Sequence, residues 1–187
     1  MKNYSADIKR LDEYGKGLRF FLSNFCSLGF FSISVFRFFS FLRRHHIPNL
    51  LIRFPIEKIV EIVSGISIPA NCSIGPGLRI HHFGGIVFHD SVKIGKNATI
   101  YHGVTLGVKR DDETQGPIIG NNIYIGAGAK VLGAIKIGNN VTIGANAVVL
   151  THVPDNCLAV GVPARIINKS SNNFSAEKVI WKKQPNT

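Results

Sequence analysis

The chain has 187 residues, of which 45% are hydrophobic and 18% charged, a composition that excludes a disordered polymer and allows one substantial domain with a smaller appendage. A net charge of +11 implies an anionic partner: nucleic acid, a phosphorylated small molecule or the inner leaflet of a membrane would each satisfy it. Cys26, Cys72 and Cys157 are odd in number and lack CxxC spacing, which argues against a disulfide framework or a zinc site and fits a reducing, cytosolic setting.

The first region, residues 1–65, opens with polar and charged side chains (Lys2, Asp7, Lys9, Arg10, Asp12, Glu13) and no cleavage site, so it is expected to be mature sequence rather than a secretory leader. Phe20, Phe21, Phe25, Phe30, Phe31, Phe36, Phe38, Phe39 and Phe41 then crowd a stretch that predicts a short helical segment. Residues 20–36 carry no charge, and Arg37, Arg43, Arg44 and Arg53 follow. Two readings stay open: peripheral contact of residues 20–53 with an anionic membrane surface, or packing of the phenylalanines between subunits or against the main domain.

The second region, residues 66–167, exchanges Phe and Arg for Gly, Ile, Val and Asn. Ile119, Ile125, Val131, Ile137, Ile143 and Val149 recur every six residues, a period that belongs to neither an α-helix nor a plain strand. Each unit therefore predicts a short strand plus a corner with one aliphatic pointing inward, and three units close a triangular coil of 18 residues. The same period runs through Ile68, Ile74, Ile80 and Ile86, slips by two, and resumes at Phe88, Ile94, Ile100 and Leu106. Between Leu106 and Ile119 the spacing is 13 rather than 12, and the polar VKRDDETQGP reads as a loop ejected from the coil wall. Residues 168–187, with Trp181, read as a polar tail.

Histidine concentrates where the repeat is least regular, at His81, His82, His89 and His102. His82 and His102 each lie two residues after an inward isoleucine and are 20 apart, one coil plus the slip, so they are predicted to stack on adjacent coils at one corner. A corner histidine there points outward and can accept a proton from an alcohol.

The segments IGPGLRIHHFGGIV (74–87), YHGVTLG (101–107), IGAGAKVLG (125–133) and GVPARI (161–166) resemble the hexapeptide-repeat acyltransferases, in the branch of serine O-acetyltransferases and capsule or exopolysaccharide O-acetyltransferases. The resemblance implies a mainly β fold, a left-handed parallel β-helix preceded by the Phe-rich helical segment, assembled as a homotrimer with active sites between subunits. It implies acetyl-CoA as donor, His82 as general base, and no metal or nucleic acid. CoA contacts are expected at Gly107, Lys109, Ala127, Lys130, Ala145 and Arg165, with Ala127 and Ala145 separated by one coil, and acceptor contacts at His81, Asp90, His102 and Arg110.

Three departures from serine acetyltransferases turn the expected acceptor toward a sugar or polysaccharide hydroxyl. Where those enzymes carry a long helical N-terminal domain this sequence has about 65 residues of Phe-rich sequence, the Asp of their Asp-His pair is His81 while a second carboxylate falls on Ser67, and their Arg-His pair falls on Gln115-Gly116. Asp90, His102 or a backbone carbonyl is left to orient His82. A cytoplasmic enzyme, peripheral on the inner membrane face, is the expectation; the alternative is a serine O-acetyltransferase of cysteine biosynthesis. An amino-sugar N-acetyltransferase, a zinc enzyme of the γ-carbonic-anhydrase type and a non-catalytic scaffold complete the rivals.

Overall fold

The computed structural model describes residues 2–10 and 27–169; Phe20, Phe21, Phe25, Cys26 and Trp181 lie outside them. Three helices come first: α1 (Lys2–Lys9), α2 (Leu28–Arg44) and α3 (Leu50–Ser64). Short strands follow from β1 (Ile66–Ser67) to β15 (Arg165–Asn168). Those that bear on the site are β3 (Arg79–His81), β4 (Ile86–Phe88), β6 (Ala98–Tyr101), β7 (Thr105–Gly107), β8 (Ile118–Ile119), β9 (Ile123–Ile125), β10 (Lys130–Leu132) and β14 (Cys157–Val160).

Successive strands fall on successive walls, so the chain winds as a three-sided parallel coil. With β2 (Ser73–Ile74), β5 (Lys93–Ile94), β11 (Lys136–Ile137), β12 (Thr142–Ile143) and β13 (Val148–Val149) included, one wall is ordered β1-β4-β7-β10-β13, the second β2-β5-β8-β11, and the third β3-β6-β9-β12-β14-β15. Every predicted inward aliphatic from Ile68 to Val149 is buried, and these side chains form one continuous core. Burial of each contributes about 1.5–3 kcal/mol. The two-residue slip appears as Ile80 paired with Ile100. The ejected loop is larger than the spacing suggested: Leu106 and Ile119 lie on adjacent walls, one step apart, and Ile94 pairs with Ile119 across 25 residues rather than 18, an excess of seven.

The corners differ chemically. Between the second and third walls, Asn97, Asn122, Asn140 and Asn156 adopt left-handed backbone with φ of 55–58°, a conformation asparagine tolerates better than most residues. Their side-chain amides form a ladder, each Nδ2 donating to the next Oδ1 at 3.0 Å. Between the third and first walls Gly85, Gly103 and Gly128 are left-handed, as are His82, Gly84 and Asn146, and the glycines stack so closely that a Cβ on Gly103 would stand 3.3 Å from the Gly128 backbone.

α2 lies across the open first coil, with Ile33 and Phe36 entering the core. Ser27 caps it, its Oγ accepting from the Phe30 amide. Arg37 fastens it by donating to the carbonyls of Ile74 and Gly75 and to both oxygens of Asp7 on α1. Asp7 Oδ1 in turn accepts from the amides of Gly77 and Leu78. Phe30, Phe36 and Phe39 are buried, whereas Phe31, Phe38 and Phe41 remain about half exposed. α3 ends at Gly65, left-handed with φ 64°, and turns directly into β1. At the far end β15 folds back antiparallel on β14.

Candidate active site

His82 stands at the corner between the third and first walls, immediately after β3, and is exposed. Its backbone is left-handed, φ 61°, which costs a non-glycine, non-asparagine residue about 1–2 kcal/mol. Local strain of that kind persists where the surroundings hold it and commonly marks a functional position. The His102 ring meets it edge-on at 5.8 Å, so the stacking predicted from spacing is present. His81 lies flat on Tyr101, with centroids 4.8 Å apart and planes at 10°. Burial, and then the nearby Arg79, His82 and Arg10, hold the His81 imidazole down to about 4, so it is neutral near pH 7.

The same corner continues downward as a strip of small residues. Gly103 N donates to Gly84 O, Gly128 N to His102 O, and Asn146 N to Ala127 O, which stacks the segments carrying His82, His102, Ala127 and Ala145 in that order. Lys130 begins β10 beside this strip and gives its ammonium to the Gly103 carbonyl at 2.5 Å. Arg165 lies exposed on β15.

Four expected contacts lie elsewhere on the chain, at the corner between the first and second walls. Asp90 follows β4 there: it approaches His89 Nδ1 at 3.3 Å, and with burial it helps push the neighbouring Cys72 thiol up to about 12. A wall therefore separates Asp90 from His82, and the structure offers Asp90 no part in orienting that ring within one chain. Gly107, closing β7, accepts from Gly133 N, and Lys109 arches over Gly133 to donate to Leu150 O at 2.8 Å. Arg110 is spent on Asp112 at 3.2 Å in the ejected loop. A cleft of about 640 Å3 opens between this loop and Gly133, Ala134, Leu150 and His152. Among the described residues, no group of three or more His, Cys, Asp and Glu side chains is placed to hold a metal ion.

Sequence reasoning passed over Tyr101, Tyr124 and Phe83. Tyr101 and Tyr124 pack at 5.3 Å to extend the His81 stack down the third wall, and Phe83 is 60% exposed beside His82. The available signal was strand alternation: Tyr124 stands between the inward Ile123 and Ile125, and Tyr101 directly follows the inward Ile100.

Residues 116–151 match the family described as bacterial transferase hexapeptide (six repeats). The chain is 45% identical over 115 residues to a serine acetyltransferase of Helicobacter pylori, covering 61% of this chain and 67% of that one. It is 34% identical over 179 residues to a serine acetyltransferase of Buchnera aphidicola, covering 92% of this chain and 68% of the relative. Among solved structures, serine acetyltransferase of Brucella abortus in complex with coenzyme A is similar with a TM-score of 0.80 and 30% identity, over 89% of this chain and 67% of that one. Serine acetyltransferase of Neisseria gonorrhoeae is similar with a TM-score of 0.81 and 31% identity, over 97% of this chain and 70% of the other. The chain thus spans about two thirds of these relatives. Sequence likeness of this extent, carried on the same coil, shows that the chain belongs to the serine acetyltransferase family of hexapeptide-repeat acyltransferases.

Proposed function

We propose that the protein transfers an acetyl group from acetyl-CoA to an acceptor hydroxyl, with His82 as general base. The observation that carries this reading is the exposed, strained His82 set against His102 at the head of a strip of small residues. His82 takes the acceptor's hydroxyl proton as that oxygen attacks the thioester carbonyl; the C–S bond breaks, and His82 returns the proton to the departing sulfur. Backbone N–H groups at the corner stabilise the tetrahedral oxyanion. Ala127 and Ala145 fit an extended pantetheine arm because they leave the corner shallow on two successive coils, and Lys130 and Arg165 bring positive charge to it. The coil is taken to wind left-handed, and three chains would bring the Gly107, Lys109 and Arg110 corner of one to the His82 corner of the next.

L-Serine is the first reading for the acceptor. It rests on the names of the relatives, which are serine acetyltransferases, and it reverses the order expected from the sequence, where a glycan hydroxyl stood first. The glycan hydroxyl stays as second reading on one observation: His81, Ser67 and Gln115-Gly116 stand where the family resemblance places ionic groups for the amino acid. Thiol release from acetyl-CoA, measured with L-serine and with a panel of sugars and nucleotide sugars, separates them. His82→Ala is expected to lower turnover by about 10²–10⁴ with CoA binding by calorimetry retained; near-normal turnover would remove the central claim. Ala127→Leu is expected to raise KM for acetyl-CoA and leave that for the acceptor unchanged.

A further inference from the structure

The ejected loop is fastened to the coil at each end. At its start Lys109 Nζ donates to Leu150 O at 2.8 Å, and at its finish the buried Gly116 gives its amide to Ser91 Oγ at 2.7 Å. Between them Lys109 N donates to Glu113 Oε2 and Glu113 N to Arg110 O, bonds that shape the loop from within.

Ser91 is itself held. It stands in the turn between β4 and β5, whose backbone is fixed by His89 N donating to Leu106 O and Val92 N donating to His89 O. The Ser91 hydroxyl oxygen lies 2.7 Å from His89 Nδ1, and the Ser91 amide points to the same nitrogen at 3.4 Å. A backbone amide can only donate, so Nδ1 accepts and the ring proton sits on Nε2. The hydroxyl proton then goes to His89, and Oγ keeps its lone pairs for Gly116. Gly116 fits this seat closely: a Cβ there would stand 3.3 Å from Ser91 Oγ and 3.2 Å from Val92 Cγ2. The wall does not need the latch, because β5 already pairs with β8 through Lys93 with Ile118 and Ile94 with Ile119. The latch acts one step upstream, on the loop.

We propose that Ser91 is a positioning residue for acetyl transfer. Through Gly116 it holds Thr114 and Gln115 as one side of the 640 Å3 cleft, opposite Gly133, Ala134, Leu150 and His152. A cleft of this size suits a small-molecule ligand, and a wall misplaced by about 1 Å can cost up to about 10²-fold in rate. The inference rests on the proposed function and its three-chain assembly, in which this corner meets the His82 corner of the next subunit. Each latch therefore serves its neighbour's reaction, and His89 acts one step further back by orienting the Ser91 hydroxyl.

The test is steady-state turnover of acetyl-CoA by the full chain, with amide exchange at Gly116 followed in parallel. Ser91→Ala is expected to speed that exchange and to raise KM for acetyl-CoA about tenfold or more, with kcat changed less. Ser91→Thr keeps the hydroxyl and is expected to restore both. His82→Ala and Ser91→Ala chains co-expressed under different tags, and purified on both, give mixed trimers. In each, a single boundary joins an intact loop to an intact His82, so turnover below saturation should reach about a third of the parent's. Mixed trimers less active than Ser91→Ala trimers would overturn the proposal, since the loop would then serve its own chain. Unchanged Gly116 exchange in Ser91→Ala, or a KM within about twofold of the parent's, would overturn it as well. Absence of turnover in the parent would instead refute the proposed function, and Gly116 exchange would still report the latch.

Discussion

Asp7→Ala should loosen the cap over the first coil. The Asp7 side chain is fully buried and accepts four hydrogen bonds: two from Arg37, at 2.7 and 3.1 Å, and two from the amides of Gly77 and Leu78, at 2.8 Å each. Removing one partner of a buried ion pair costs about 3–5 kcal/mol because the other charge is left uncompensated. Arg37 retains the carbonyls of Ile74 and Gly75, both at 2.6 Å, which places the loss near the lower end, about 3 kcal/mol. For a chain of this size that corresponds to a melting temperature lower by about 6–12 °C. Thermal melts followed by circular dichroism measure it, and amide exchange at Gly77 and Leu78 should accelerate selectively. In a double-mutant cycle, Arg37→Met should cost much less in the Asp7→Ala background than in the parent. A melting point within about 2 °C of the parent, with those two amides still protected, would refute the clasp.

His81 makes a signed pH prediction. Its folded value near 4 lies below the ordinary 6.5, so the unfolded chain binds more protons between them; the stability held by neutral His81 is intact above 6.5 and is lost as pH falls toward 4. A ring titration followed by NMR should show the low midpoint, and His81→Gln should flatten the stability profile in that window. In the asparagine ladder, Asn122→Ala should destabilise more than Asn122→Gly, because both lose the two amide bonds but only alanine adds about 1–2 kcal/mol for left-handed backbone; urea melts rank them. Gly126→Ala would drive a Cβ to 2.6 Å from the Ala145 amide nitrogen, and such overpacking of backbone should cost about 1–3 kcal/mol, read as a lower melting temperature.

The coil was legible because its code is one-dimensional: an inward aliphatic every six residues names its own wall, and the slip at Ile86–Phe88 was enough to place His82 beside His102. Where a feature depends on contacts between segments with no common period, the sequence was silent. Asp7, Arg37 and Gly77 carry no pattern that joins them, yet they share one hydrogen-bond network. Asp90 is only eight positions from His82, and proximity in sequence suggested proximity in space; a single strand between them was enough to carry it round a corner. In α3 the side chains of Leu51, Ile59 and Ile62 are exposed, and nothing in their types declares that they face away from the core.

Repeating coils have no intrinsic length: the last coil offers the same backbone template as every coil before it, so a bare end invites another chain to continue the stack. Here both ends are occupied by chain that cannot propagate the repeat. α2 lays a helix where a preceding coil would bind, and β15 reverses direction on β14, presenting an edge with the wrong polarity for a parallel partner. The molecule therefore counts its own coils, and growth into a fibre is stopped at either end by a few residues that contribute nothing to the acceptor's chemistry.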